Sequence, residues 1–383
     1  MNGVLPELTW GTWDEHEWDS GALTTVHSAS DINVNASATT AAAAAAAAAG
    51  GGSDRSRRKL GKKGLSAPMQ SQLWFEEVLT RVDHSSFAQE RRGYQCNPLR
   101  CLHVDETLFS AASVIPWEHL PDGIHPRDGK LPPLRARNKR HQVENLAVFL
   151  QRILRPGDVV VEFCAGSGYV ALPLACLFPQ CKFVLLDKKE PSLAIAEERI
   201  ATAGLTNVEV FCGFIDDYDK PFDVGIALHA CGEATDMVMQ KCLDERAAYV
   251  LAPCCVGKIK LSALEYPRSR ALRDQLTRTE YQVLAKAADF GHQNAEMSHS
   301  EINMRRRRCK SILESDRNMR AQEAQYETFM FVMHPHDVTP KNDILVGIPA
   351  ANGSGSASGE RRFITSCTQP LSESETVRVI FGL

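Results

Sequence analysis

Several features that mark common protein classes are missing from this 383-residue sequence. No segment reaches the ~20 consecutive apolar residues that cross a bilayer; the small-residue run from Ala41 to Ala49 is too short and too weakly hydrophobic. The first twenty residues carry acidic side chains where a secretory signal has positive charge before an apolar core. We therefore expect no membrane span and no export, and a cytoplasmic protein with the nucleus as the alternative.

Spaced cysteine pairs and an excess of positive charge are missing as well. The 12 cysteines are scattered through apolar stretches, and no two have Cys-x-x-Cys spacing, so most are expected to be buried free thiols. The 43 Lys and Arg against 47 Asp and Glu give a formal charge of -4, which excludes an overall basic field of the kind that nucleic-acid binders carry. The net charge does not exclude a local basic surface.

Composition divides the chain into four parts, 1–65, 66–115, 116–350 and 351–383. The first is rich in Ala, Ser, Thr and Gly and ends in a basic run, so it is expected to be a disordered tail. The second has one clear helical stretch, Gln70 to Val82, and is expected to be a helical extension. The last contains a Gly/Ser linker, Gly353 to Gly359, and a piece of unknown role.

The part from 116 to 350 alternates apolar strand patterns with helical ones. The predicted strands are Val159 to Phe163, Phe183 to Leu186, Val208 to Phe211, Val224 to Leu228, Tyr249 to Ala252, Thr328 to Met333 and Ile344 to Ile348. The first five are almost continuously apolar and are separated by helical segments, a pattern typical of an α/β parallel sheet covered on both faces. The last two are close enough in sequence to pair antiparallel.

A glycine-rich turn, Cys164 to Gly168, follows the first of these strands, whose last two residues are Glu162 and Phe163. In an open parallel sheet such a turn faces the ligand crevice, and glycine allows a ligand to approach the backbone. Counted from Gly166, the third position of a dinucleotide fingerprint is Ala171, a tolerated replacement, so the pattern alone leaves NAD open.

Acidic residues at three strand ends favour S-adenosylmethionine over a dinucleotide. Glu162 would repel a pyrophosphate but is suited to an ammonium group, held directly or through water. Asp187 is placed to accept both hydroxyls of a ribose, and Asp216 or its neighbour Asp217 could accept the adenine amino group.

The ends of the next two strands should flank the reacting methyl group. The fourth strand runs into Leu228 to Asp236 (LHACGEATD) and the fifth into Pro253 to Lys258 (PCCVGK). His229 is the base candidate because unperturbed histidine titrates near neutrality. Asp236 is assigned to orient a catalytic neighbour or, as the favoured reading, to cap the following helix.

Thiols in the same two segments leave two further possibilities. Cys254 or Cys255 could act as a covalent nucleophile, and Cys255 is placed in the catalytic set. With His229, Cys231 and Cys254, Cys255 could also bind zinc. Adjacent cysteines seldom point at one ion, so the sequence predicts no metal.

These segments resemble a known family. Leu131 to Asn145, Val161 to Gly168, Leu228 to Asp236, Pro253 to Lys258 and Pro340 to Pro349 resemble the methyltransferase-like domain of the glutathione S-transferase C-terminal domain-containing proteins. More distantly they are similar to tRNA 2′-O-methyltransferases of the Trm thirteen type. The resemblance covers roughly residues 115 to 350.

The resemblance implies a class I S-adenosylmethionine-dependent methyltransferase, with a Rossmann-like, mostly parallel seven-stranded sheet and an antiparallel last strand. The cofactor-binding residues then expected are Glu162, Cys164, Ala165, Gly166, Gly168, Asp187, Lys188, Asp216 and Leu228. Cys164 departs from the glycine usual at its position, and no glutathione-transferase portion is evident in residues 1–115, so no glutathione chemistry is expected.

Basic clusters suggest the methyl acceptor. Arg305 to Arg308 with Lys310 lie in one predicted helix, and Arg135, Arg137, Lys139 and Arg140 precede the first strand. If both clusters flank the crevice, they form a positive rim for phosphates, and RNA, with tRNA as an example, is the favoured acceptor. A protein or small-molecule acceptor, or a catalytically silent cofactor-binding scaffold, are the alternatives.

Overall fold

A computed structural model of the chain describes residues 67–99, 115–129, 131–257, 259, 264–289, 300–334 and 341–350. The predictions for the tail 1–65 and for residues 351–383 lie outside these ranges. Within the described residues, 67–90 belong to a separate unit, in which helices α1 (Ala67–Asp83) and α2 (Ser86–Glu90) pack against each other. No helix in the described ranges is long and apolar enough to span a bilayer.

The other unit is built around one mixed sheet. Its strands are β1 (Tyr94–Gln95), β2 (Val159–Phe163), β3 (Lys182–Asp187), β4 (Val208–Cys212), β5 (Val224–Leu228), β6 (Ala248–Ala252), β7 (Tyr326–Val332) and β8 (Asp343–Pro349). Their order is β1-β7-β8-β6-β5-β2-β3-β4, and β8 alone runs antiparallel to its neighbours in this sheet. The predicted α/β class, mostly parallel with an antiparallel strand near the end of the chain, is confirmed.

Helices connect the strands and cover both faces of the sheet. They are α3 (Pro133–Ile153), α4 (Ala171–Leu177), α5 (Glu190–Ala203), α6 (Glu233–Asp244), α7 (Arg270–Arg273), α8 (Arg278–Ala288) and α9 (Glu301–Glu323). Successive strand residues face opposite layers: Val160 packs into a core with α3, α4 and α5, and Val161 into a second core with α6 and the end of α9. Burial on both faces explains why the parallel strands are continuously apolar.

Local sequence signals determine where helix α5 begins and ends. Pro191 occupies the first turn of α5, where its missing N–H costs nothing, and Gly204 ends that helix in the left-handed region at φ 65°. Because β3 and β4 are parallel, α5 starts at the carboxyl edge of the sheet and returns to the opposite edge.

The structure differs from the sequence prediction in two elements. The sequence pattern predicts a helix from about Arg268 to Leu276, but the structure has only the four-residue α7 there. The backbone N–H groups of Arg268 and Ser269 donate to the buried Asp316 carboxylate instead of starting a helix. An eighth strand, β1, pairs in parallel with β7 through two residues, too few to leave a periodic pattern in the sequence.

Candidate active site

The glycine-rich turn between β2 and α4 has an unusual backbone. Cys164, Gly166 and Gly168 all have positive φ, at 58°, 55° and 75°. A Cβ on Gly168 would lie 2.5 Å from Leu185, so this glycine is required by packing. A Cβ on Gly166 would meet no atom within 4 Å, so this glycine keeps space open beside the strand ends.

Asp187 ends β3 beside that turn and is bonded to it. Its carboxylate accepts the Gly166 N–H at 2.8 Å through Oδ2 and the Lys189 N–H at 2.9 Å through Oδ1. Each carboxylate oxygen has a second lone pair, so the two backbone bonds fix the group while leaving acceptor capacity for a diol. Lys188, the next residue, is exposed, and its amino group lies 5.8 Å from the Phe214 ring centroid.

Glu162 lies in β2, one residue before the strand ends, and is buried beside the turn. The side chain is buried, and Oε2 accepts the Ala171 N–H at 2.7 Å at the start of α4. Burial raises the pKa of Glu162 to about 8, against the opposing effect of that hydrogen bond and of Lys139. One oxygen is thus committed to the turn, and the role of the other toward an ammonium group stays a prediction.

The two acids that follow β4 differ in what they contact. Asp217 Oδ2 accepts the Phe214 N–H at 2.8 Å, which closes the 3-10 turn Ile215–Asp217. Asp216 is exposed in the same turn. The difference favours Asp216 as the residue available to an adenine amino group, which remains a prediction.

His229 follows β5 in a strained conformation, with φ 68°. The ring is buried, and Nε2 lies 3.1 Å from Gln142 Oε1 on α3. If Nε2 donates to that oxygen, Nδ1 is the acceptor nitrogen. Burial and the charge of Lys139 hold the pKa of His229 well below its ordinary value, so the ring is neutral near pH 7. Leu228, just before it, is buried at the end of β5.

Asp236 has a structural role that the sequence did not predict. The capping interpretation is wrong, because α6 begins after Gly232 without a side-chain cap. Asp236 is 0% exposed and accepts two bonds of 2.9 Å from Arg317 and one of 3.0 Å from the Tyr266 hydroxyl. A carboxylate so enclosed cannot reach a substrate, and we do not place Asp236 among the catalytic residues.

The three predicted thiols lie together where β5 and β6 end. The sulfurs of Cys231, Cys254 and Cys255 all lie within 4.8 Å of one another. The Gly232 N–H donates to the Cys255 carbonyl at 2.9 Å and joins the two loops. Hydrogen bonds within the cluster lower the pKa of Cys255, which is half-buried, and raise that of Cys254. His229 is not part of this sulfur cluster.

Sequence reasoning placed Lys139 on the outer rim, but its amino group lies within the crevice. Its Nζ lies 5.8 Å from the Tyr169 ring centroid, and it interacts electrostatically with Glu162, Cys254 and His229. Burial lowers the pKa of Lys139 to about 7, and the electrostatic interaction with Glu162 opposes this shift. Gln142, the partner of His229 one turn later on α3, was also missed. A basic run on a helix carries no signal for which member turns inward.

Strand order brings these groups to one edge of the sheet. Asp187, the glycine-rich turn and His229 follow β3, β2 and β5, which are adjacent and parallel. At ~4.8 Å between strands, the ends of β3 and β5 are roughly 10 Å apart. This edge therefore forms one crevice with a carboxylate on one side and a neutral imidazole on the other.

Residues 138–262 match a family model described as a methyltransferase domain. That segment contains the glycine-rich turn, Asp187, His229 and the cysteine cluster. It is a methyltransferase domain. The match confirms the predicted enzyme class, a methyltransferase, and with it the cofactor of that class, S-adenosylmethionine.

Curated relatives extend the likeness of the methyltransferase domain. The glutathione S-transferase C-terminal domain-containing protein of Xenopus laevis is 36% identical over 249 residues, 64% of this chain and 40% of the relative. The Drosophila melanogaster homologue is 36% identical over 236 residues, 61% of this chain and 40% of the relative. The predicted resemblance is confirmed. The chain spans about two fifths of the length of these relatives.

Solved structures similar to the methyltransferase domain are more remote. An rRNA methylase from Streptococcus thermophilus is 20% identical, covers 28% of this chain and 68% of its own, and has a TM-score of 0.25. A fibrillarin/Nop5p complex is 11% identical, covers 56% of this chain and 83% of its own, and has a TM-score of 0.34.

The space beside Gly166 yields a direct test. We expect Gly166→Ala to weaken S-adenosylhomocysteine binding at least about tenfold, because the added methyl enters the space left for a ligand. Gly204→Ala is the matched control: its φ of 65° is close to the 55° of Gly166, no atom lies within 4 Å of its Cβ, and it lies at the far edge of the sheet. Isothermal titration of both variants should show weakened binding in the first alone.

Proposed function

We propose that this chain is an S-adenosylmethionine-dependent methyltransferase that acts on RNA, with His229 as the base. The observation that carries the proposal is the order of groups along three adjacent strand ends: Asp187, the open backbone at Gly166, and the neutral, buried His229. The family match supports the enzyme class. The acceptor and the residue roles rest on the chemistry of the crevice.

The residues fit the cofactor. Asp187 offers lone pairs to a ribose, Gly166 leaves room for the nucleoside against the backbone, and Asp216 is exposed near the expected adenine position. When bound, S-adenosylmethionine supplies a methyl group on a sulfonium, and transfer is an in-line displacement. The protein contributes mainly alignment, because a correctly oriented pair of reactants needs little further assistance.

In the proposed reaction, His229 accepts the proton that the acceptor hydroxyl loses. Nδ1 is the nitrogen with a lone pair when Nε2 donates to Gln142. A ribose hydroxyl must lose a proton as it attacks, and a base within hydrogen-bond reach contributes typically 10²–10⁴-fold. The contact between Nε2 and the Gln142 side chain holds the ring in place.

The basic helix α9 supports RNA as the acceptor. Lys310 pairs with Asp343 at 2.6 Å, and Asp343 starts β8 near the carboxyl edge of the antiparallel β6. Arg305 to Arg308 precede Lys310 in α9, so the direction of the helix takes them past this edge, and all four are half-buried. Lys310 itself is buried in that ion pair and does not belong to a phosphate-binding rim, contrary to the prediction.

Binding tests the first part of the proposal. We expect Asp187→Ala to weaken S-adenosylhomocysteine binding at least about 100-fold. The variant removes the charged carboxylate that would accept hydrogen bonds from the two ribose hydroxyls, and each such bond contributes about 1.5–3 kcal/mol. Asp244→Ala, which removes an acidic side chain at the end of α6, is the control and should bind S-adenosylhomocysteine as wild type does. Circular dichroism verifies that both variants fold. Wild-type affinity in Asp187→Ala would exclude this site.

The acceptor is identified by incubating the full chain with tritiated S-adenosylmethionine and fractionated cell RNA or protein. We expect label in RNA. Label only in protein would remove the RNA proposal while keeping the methyltransferase. Cofactor binding without transfer to any fraction would favour the scaffold alternative.

A further inference from the structure

The cysteine cluster at the ends of β5 and β6 is not used by the proposed reaction. Cys231, Cys254 and Cys255 come from two loops that are far apart in sequence and joined by the Gly232 to Cys255 hydrogen bond. Cys231 is exposed and the other two are half-buried. Three thiols held together by the fold, with access from solvent, are an unusual arrangement for purely structural packing.

The sulfur positions suit a metal ion. Cys231 Sγ lies 3.0 Å from Cys254 Sγ, and Cys254 Sγ lies 3.9 Å from Cys255 Sγ. Tetrahedral Zn–S bonds of about 2.3 Å place neighbouring sulfurs roughly 3.8 Å apart. The observed separations bracket that value, so small side-chain rotations would complete the triangle without moving either loop.

Charge around the cluster is also suitable. Three thiolates and one Zn²⁺ carry a net charge of about −1. Lys341 acts electrostatically on Cys255, and Lys139 interacts with Cys254. These two cations lie on different elements and offset the remaining negative charge. A disulfide would use only two of the three thiols, and no disulfide joins any two of these three in the structure.

We propose that Cys231, Cys254 and Cys255 bind one zinc ion through three thiolates, leaving a fourth coordination position beside the methyl-transfer crevice. Binding replaces each S–H bond by an S–Zn bond and releases the protons to solvent. Thiolate ligands select a small set of soft metal ions, and zinc is one of them. The inference differs from the sequence expectation of no metal, because the adjacent Cys254 and Cys255 do lie with a third thiol.

Metal analysis of the full chain tests this site. The protein is produced in zinc-supplemented medium under reducing conditions, passed over a chelating resin, and analysed by plasma mass spectrometry. We expect about one equivalent of zinc in wild type and less than about 0.1 in Cys231→Ala and Cys254→Ala. Cys176→Ala is the matched control, since Cys176 is half-buried and lies outside the cluster, and it should retain the zinc.

Cobalt substitution identifies the ligands. Replacing zinc by Co²⁺ should produce a thiolate-to-cobalt charge-transfer band in wild type that is lost in Cys255→Ala, as it is in the other two cysteine variants. Below about 0.1 equivalent of metal in wild type, copper in place of zinc, or a Cys231–Cys254 disulfide found by peptide mapping would each overturn the proposal.

S-adenosylhomocysteine titration on the same samples separates this proposal from the proposed function. Cys231 is exposed and outside the cofactor contacts, so Cys231→Ala should lose zinc with cofactor affinity within about twofold of wild type. Zinc without cofactor binding in wild type would overturn the proposed function and leave the metal site standing.

Discussion

Arg317→Met is expected to lower the free energy of unfolding by about 3–5 kcal/mol, the range found when one partner of a buried ion pair is removed. The Arg317 guanidinium donates to both oxygens of Asp236 at 2.9 Å and to both oxygens of Glu314 at 3.1 and 2.9 Å. All three side chains are at most 2% exposed. Methionine would leave the buried Glu314 without this ion pair and Asp236 with only the longer, 3.8 Å ion pair to the Arg268 guanidinium.

Urea denaturation followed by circular dichroism measures this effect. Arg270→Met is the control, because the Arg270 side chain is 76% exposed and its pair with Glu323 is on the surface. Surface pairs of this kind contribute ~0–1 kcal/mol. A loss below about 1 kcal/mol in Arg317→Met, or an equal loss in both variants, would show that the buried charges are not held as the structure has them.

The ion pairs of Arg317 also explain why the Leu228 to Asp236 segment carries an aspartate that sequence reasoning places in the catalytic set. Arg317 donates to the Gly232 carbonyl at 3.3 Å as well as to Asp236. It thereby connects α9 to the loop that carries His229 and Cys231 and to the first turn of α6. The last residue of the LHACGEATD segment, Asp236, positions this loop instead of taking part in proton transfer. Asp236 is a positioning residue.

Most of the sheet could be predicted because its signals are local. Val159–Phe163 and Val224–Leu228 are strands with the predicted bounds, since each is a short, almost continuously apolar run that follows an aspartate. The strand β1 and the short α7 could not be predicted in the same way. Each depends on a distant partner, β7 for the first and Asp316 for the second.

The candidate site also has some features that follow from local sequence and others that depend on distant parts of the chain. The turn at Gly166 and the position of Asp187 follow from strand ends, which the apolar pattern locates. The inward position of Lys139, the Gln142 contact of His229 and the burial of Asp236 depend on packing between elements that are far apart in sequence. The chemical type of a residue alone does not distinguish a buried ion pair from a catalytic acid.

His229→Asn is expected to reduce kcat for methyl transfer by roughly 10²–10⁴-fold, with S-adenosylhomocysteine affinity within about twofold of wild type. Asparagine tolerates the positive φ of 68° better than alanine, so the variant removes the ring nitrogen while keeping the backbone conformation. The acceptor is the RNA fraction that the wild-type chain labels, and single-turnover rates at saturating cofactor isolate the transfer step.

Two variants separate proton transfer from positioning. Gln142→Leu removes the hydrogen bond to Nε2 but leaves the imidazole, so we expect a smaller fall, about tenfold. His119→Asn, at an exposed position of the 3-10 helix Trp117–His119, should keep full activity. If His229→Asn transferred methyl groups at the wild-type rate, the base would have to be sought elsewhere in the crevice, and Lys139, whose pKa burial lowers to about 7, would be the next residue to replace.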